Sequence, residues 1–143
     1  MTIGTINPAE FPFVFGDHLV GGYTKGTQIG IVYNQDAFTP FKGNDGEGAR
    51  VMSNDRSAII TLTLQQNSKS NKILSDKHAA DLANGNGLED VSFRDLRGDT
   101  EGSGSGAYIM KYADIAVADT VTDRSWRIYV DDYTGIVGGS LTV

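Results

Sequence analysis

The sequence predicts a mainly β protein: an antiparallel β-sandwich or barrel with one packed α-helix. Three observations carry that expectation. Apolar and polar residues alternate over several short segments, which is the period of a half-buried strand. Only one stretch, residues 70–84, carries helix start and stop signals. Glycine is abundant, 18 residues against 3 prolines, and every proline lies at or before Pro40, so nothing beyond that point removes a backbone donor from a paired strand. Strands, then one helix, then more strands, in 143 residues without an internal repeat, read as one domain over 1–143.

Taken in order, residues 11–23 are aromatic and β-branched up to Gly21 and Gly22, a strand with a turn or bulge. Residues 28–33 alternate, with Ile29, Ile31 and Tyr33 on one face. The polar stretch 34–55 contains Asn44-Asp45-Gly46-Glu47-Gly48, a strong turn signal, and reads as a long loop or protruding hairpin. Residues 57–66 give the clearest strand: Ile60, Leu62 and Leu64 share one face, and Ile59, Thr61, Thr63 and Gln65 share the other.

The helix over 70–84 starts at Ser70 and stops at Gly85, with Ala79, Ala80, Leu82 and Ala83 as a narrow apolar face suited to lying close on a sheet. Strands follow at 91–96, 107–118 and 124–131, with a short final one at 137–143. Between them, residues 98–106 end in Gly102-Ser-Gly-Ser-Gly106 and read as a flexible connection.

Composition narrows the function. Hydrophobic residues make up 39% and charged residues 21%, close to globular averages. No apolar run approaches the roughly 20 residues of a membrane helix, and the first eight residues lack the basic and apolar regions of a signal peptide. The product is therefore expected to stay in the compartment where it is made, with no membrane partner. Cysteine is absent, which excludes disulfides, thiolate nucleophiles and cysteine-based metal sites. Twelve basic against 18 acidic residues give a net charge of −6, which argues against tight nucleic-acid binding.

Motifs for chemistry fall short. Residues 44–48 lack the alternating acidic order and distant glutamate of a calcium loop, and Gly102-x-Gly104-x-x-Ala107 precedes a strand rather than the helix a dinucleotide site needs. His78, with Asp76 and Asp81 nearby on the helix, reads as a solvated surface residue. Asp131-Asp132 and Glu89-Asp90 place neighbouring carboxylates on opposite faces of a strand. No nucleophile elbow, phosphate-binding loop or HExxH helix is present. No catalytic residue, cofactor or metal is expected, and the protein is not expected to be an enzyme.

Several motifs recur in a telling order: Asn34-x-Asp36-x-Phe38-Thr39, Gly43-x-Asp45-Gly46-Glu47 with Arg50, and Ile60-x-Leu62-x-Leu64 running into Gln66-x-Ser68-x-x-Asn71-x-x-Leu74. Asp81, Asp95-x-x-Gly98-x-Thr100 and the Trp126 strand complete it. Together, over about 21–139, they resemble the tail tube proteins of contractile-tailed bacteriophages. The Gly-Ser run at 102–106 and the proline-containing start lie outside that pattern. The resemblance implies a virion tail subunit, made in the host cytoplasm, that forms six-fold rings stacked into a hollow tube. The sheath protein would surround it, and tape measure protein and DNA would pass through it.

Within that frame Thr61, Thr63 and Gln65 are expected to face the lumen, where net acidity would let DNA slide. The loop 41–54, with Lys42, Asp45, Glu47 and Arg50, is expected to make complementary contacts between rings. The inner tube of a phage-derived contractile injection machine fits equally. A ligand-binding β-sandwich, using Tyr23, Tyr33, Tyr108, Tyr112 and Trp126 as stacking surfaces, is the alternative of a different class.

Overall fold

A computed structural model describes residues 6–96 and 98–139. After a 3-10 turn at Pro8–Glu10, the strands are β1 (Phe13–Phe15), β2 (His18–Leu19), β3 (Ile29–Tyr33), β4 (Phe38–Lys42), β5 (Gly48–Met52) and β6 (Ala58–Gln65). The helix α1 (Ser70–Asn84) follows, then β7 (Glu89–Arg94), β8 (Glu101–Ile109) and β9 (Asp123–Ile136). Seven strands form one curled antiparallel sheet in the order β2-β1-β7-β8-β9-β6-β3, while β4 and β5 pair only with each other. The fold is mainly antiparallel β with a single helix, as the alternation predicts.

The core lies between one face of the sheet and α1. On β6, Ala58, Ile60, Leu62 and Leu64 are buried, and the opposite register positions on β9 are Val130, Ile128, Trp126 and Arg124. Phe13, Phe15, Val91, Ile109 and Leu74 close the cluster. Strand β6 pairs with β9 along its whole length and with β3 over Ala58–Leu62, so most of its buried side chains meet partners from two sides.

Three expectations are corrected. First, residues 98–106 are not a flexible connection, because most of them belong to β8, paired on both sides. The glycines there serve close packing: a Cβ at Gly104 would overlap Val130 Cγ1 and lie 3.0 Å from the Asp132 carbonyl oxygen, and one at Gly102 would overlap the Tyr133 hydroxyl. Near Gly106 (φ 66°) the burial pattern of β9 changes phase, from Trp126, Ile128 and Val130 to Tyr133. There the Tyr133 amide donates to the Arg56 carbonyl at 3.0 Å, one residue out of step with the Ala58–Val130 pairing. Gly106 itself sits where β8 slips by one residue against β7, between the Glu89–Ala107 and Val91–Gly104 pairs, and glycine supplies the positive φ of that bulge.

Second, the strand expected over 107–118 ends at Ile109, and residues 110–122 belong to no strand, although the Met110 amide still donates to the Arg127 carbonyl of β9 at 3.2 Å. Residues 137–139 form no strand, and 140–143 lie outside the described residues.

Third, α1 has the expected bounds but a different inner face. Ser70, Leu74 and His78 are buried, whereas Ala79, Ala80, Leu82 and Ala83 are exposed. Ser70 does not cap the helix. Its hydroxyl accepts the Gly21 amide at 3.1 Å and shares a 2.9 Å hydrogen bond with His18 Nε2, pinning the first helical turn to β2 and the segment that follows it. His78 is not solvated: it packs edge-on against Tyr112 at 4.5 Å. Asn71 Oδ1 accepts Trp126 Nε1 at 3.0 Å, and Lys77 reaches Asp17 at 2.9 Å and Glu89 at 3.6 Å. The turn between β1 and β2 falls at Gly16 (φ 63°) and Asp17, earlier than the Gly21-Gly22 pair, although Gly22 also bends the chain (φ 74°).

Candidate functional site

Two surfaces hold the residues singled out from the sequence, and the structure keeps them apart. The first is the β4–β5 hairpin. It continues the ribbon of β3 and β6 beyond the sheet: Tyr33 pairs with Ala58, the Asn34 amide donates to the Ser57 carbonyl at 3.1 Å, and the Ser53 amide donates to the Ala37 carbonyl at 2.8 Å. The base is clamped by Asn34 Nδ2 on Ser57 Oγ (2.8 Å) and Arg56 Nη1 on the Ser53 carbonyl (2.7 Å). Asp55 Oδ1 accepts the Ser57 amide at 2.9 Å, and hydrogen bonds from the Ser57 side chain and backbone hold the Asp55 carboxyl below its ordinary range.

At the tip, Gly46 (φ 87°) turns the chain, the Gly43 amide donates to the Glu47 carbonyl at 2.8 Å, and Asp45 Oδ1 accepts the Glu47 amide at 3.2 Å. Lys42, Asp45, Glu47 and Arg50 are all exposed on this hairpin. Register puts Lys42 and Arg50 on the face that carries Phe38, Pro40 and Met52, and the Arg50 guanidinium lies 4.2 Å over the Phe38 ring.

The sequence reading missed the apolar content here. Phe38, Phe41, Val51 and Met52 are 46–60% exposed, so both faces of the hairpin present apolar side chains. Their signal was available: alternating apolar residues on either side of an Asn-Asp-Gly turn match a hairpin template.

The second surface is the sheet face turned away from the core. Thr61, Thr63 and Gln65 sit there half-buried. By register Thr61 lies between Gly30 and Arg127, Thr63 beside Ser125, and Gln65 beside Asp123. Toward the hairpin the same face turns apolar, in a row of Val32, Ile59, Tyr129 and Tyr108, the two tyrosine rings 5.3 Å apart. The face is therefore not a uniform negative wall. Arg127 is at its centre, and the threonines start roughly 13 Å along the strand from the hairpin base at Ser57.

No arrangement for catalysis emerges among the described residues. No group of three or more His, Asp or Glu residues could hold a metal ion there, and no helix is long and apolar enough to cross a membrane. A groove of about 640 Å³ runs over Val14, Phe93, Gly102, Ser103, Gly135 and their neighbours. None of Tyr23, Tyr33, Tyr108, Tyr112 and Trp126 lines it. Trp126 is buried, Tyr33 packs on Tyr133, and burial pushes the Tyr23 hydroxyl well above its ordinary pKa. The aromatics are dispersed packing residues, not one stacking surface.

Comparison with solved structures places the architecture. A chain of the sheath/tube terminator of an extracellular contractile injection system, PVC, in its extended state, superposes with a TM-score of 0.63 at 13% identity, covering 96% of this chain and 100% of that one. The chain has the fold of contractile injection system components. A chain of the PVC sheath-tube complex gives 0.61 at 14% identity (92% and 91% covered), and one of the anti-feeding prophage cap, which terminates the tube, gives 0.58 at 11% (95% and 93%). In sequence, the chain is 25% identical over 128 residues to Structural protein ORF10 of Pseudomonas phage KPP10, covering 88% of this chain and 74% of that protein. No protein-family profile matches the chain.

Proposed function

We propose that this chain is a non-enzymatic structural subunit that assembles with copies of itself into six-fold rings, stacked as the hollow inner tube of a contractile tail. The observation that carries the reading is the β4–β5 hairpin. A two-stranded hairpin is marginal alone in water, and this one exposes Phe38, Phe41, Val51 and Met52 beyond the sheet. Such an element acquires its function when a neighbour covers it. Lys42, Asp45, Glu47 and Arg50 around the apolar patch supply charge pairing that sets register between rings. Thr61, Thr63 and Gln65 then face the channel, the sheath protein surrounds the tube, and tape measure protein and DNA pass through it without tight binding. The shared fold and the phage structural relative support placement in a virion tail.

A second reading is a tube terminator, or a subunit of a phage-derived injection machine, favoured by the terminator and cap chains that share the fold. Deleting residues 43–48 tests the stacking role. The variant is expected to fold and to give subunits or single rings but no long tubes, as seen by electron microscopy and sedimentation. Long tubes from the deletion variant would refute the role of the hairpin.

A further inference from the structure

Residues 107–118 have the sequence pattern of a strand, yet β8 ends at Ile109, the last ladder bond runs from the Met110 amide to the Arg127 carbonyl at 3.2 Å, and residues 111–121 belong to no strand. We propose that residues 113–119 are a strand completed only between copies, pairing with the open edge of β3 in a second copy of this chain. The proposal rests on the self-assembly reading and names a contact within it.

Four observations converge. Ile115 and Val117 are 81% and 80% exposed, and two residues apart they project to one side of an extended chain, so the monomer has no use for an apolar pair it nonetheless carries. The segment is tethered at its start, at Ala116 in its middle and just beyond its end. Tyr112 packs on His78 and Trp126 and Ala113 is buried, while Thr122 Oγ and Arg124 Nη1 donate to the Ala116 carbonyl at 2.8 and 3.2 Å and the Gln66 amide donates to the Thr122 carbonyl at 2.9 Å. A tethered segment has less entropy to lose on pairing than a free one.

The receiving edge is equally specific. β3 ends the sheet, its outer row of backbone groups has no strand partner among the described residues, and Val32 on it is 68% exposed. The opposite edge, β2, is two residues long and offers no comparable template. Charge also matches: residues 113–121 hold Asp114 and Asp119 and no cation, and residues 23–33 hold Lys25 and no anion. Donor segment and acceptor edge are different surfaces of one chain, so the contact is head-to-tail and repeats around a ring.

The chain has no cysteine, so single-cysteine variants report the contact directly. Ile115→Cys or Val117→Cys protein is mixed with Gly30→Cys or Val32→Cys protein under mild oxidation. At least one mixture is expected to form a disulfide-linked heterodimer far faster than either protein forms its own dimer. Separately, an Ile115→Asp/Val117→Asp variant should keep the parent's melting temperature and associate at least about a hundredfold more weakly, since two apolar side chains lose their burial. Rings in the parent, with no heterodimer in any mixture and unchanged association of the double variant, overturn the strand contact and leave the tube reading standing. Association without rings, with heterodimer formed, overturns the tube and keeps the contact. A parent that stays monomeric at all concentrations overturns both.

Discussion

Replacing Gly104 with alanine separates a packed strand from a linker by the sign of the effect. In a linker the substitution removes unfolded-state freedom and stabilises by about 0.4–1 kcal/mol. In β8 the new Cβ would overlap Val130 Cγ1 and meet the Asp132 carbonyl oxygen at 3.0 Å and Val91 Cγ2 at 3.4 Å, and backbone cannot swing aside as a flexible side chain can. Overpacking of this kind costs about 1–3 kcal/mol, so the net expectation is a loss of about 1–2 kcal/mol. In a chain of this size that lowers Tm by about 3–8 °C. Urea unfolding followed by circular dichroism reads the change as a lower midpoint at constant slope. Val130→Ala removes the colliding methyl, so the Gly104→Ala/Val130→Ala pair should lose less than the two single variants together. A Gly104→Ala protein as stable as its parent, or more so, would refute the packing described for β8.

The inner face of α1 can be tested by a pair of substitutions. Leu74→Ala, at a fully buried position, should cost about 2–4 kcal/mol, whereas Leu82→Ala, at a site 67% exposed, should stay within about 0.5 kcal/mol, and equal losses in chemical denaturation would contradict the assigned face. His18 makes stability depend on pH. Burial first, and then the Lys77 charge, lower its pKa below the ordinary 6.5. As pH falls below 6.5 the unfolded chain takes up the proton before the folded one, so stability declines with pH until the folded His18 titrates, then levels. His18→Gln should flatten that part of the pH–stability curve, and an unchanged slope in the variant would show that another group is responsible.

Much of the fold was legible because its strands follow the two-residue period. β6 shows this most clearly: Ile60, Leu62 and Leu64 are inside, and the alternate residues face out, since a strand paired on both sides with one buried face allows no other register. The helix was legible in its bounds because Gly85 adopts the left-handed conformation that ends it. Its inner face was not. Alanines looked like the packing surface, but the helix is fixed by Ser70, whose hydroxyl bonds His18 and the Gly21 amide, and by His78, whose ring packs on Tyr112, contacts that exist only in the folded chain.

Residues 98–106 were misread because glycine in a strand and glycine in a linker are the same letters. What distinguishes them is Tyr133 and Val130, side chains from β9 some thirty residues later. For the assembly surfaces, the turn at 43–48 pointed to the charged hairpin residues. For the exposed apolar ones, Phe41 and Val51 among them, the hairpin pattern was legible, but that both faces stand clear of the sheet depends on where the hairpin leaves β3 and β6.

Electron microscopy of the purified protein, over a range of concentrations, tests the central claim most directly. The account predicts rings with a central hole that stack into tubes as concentration rises. Discrete rings that never stack would favour the terminator reading. A monomer at every concentration would contradict self-assembly itself.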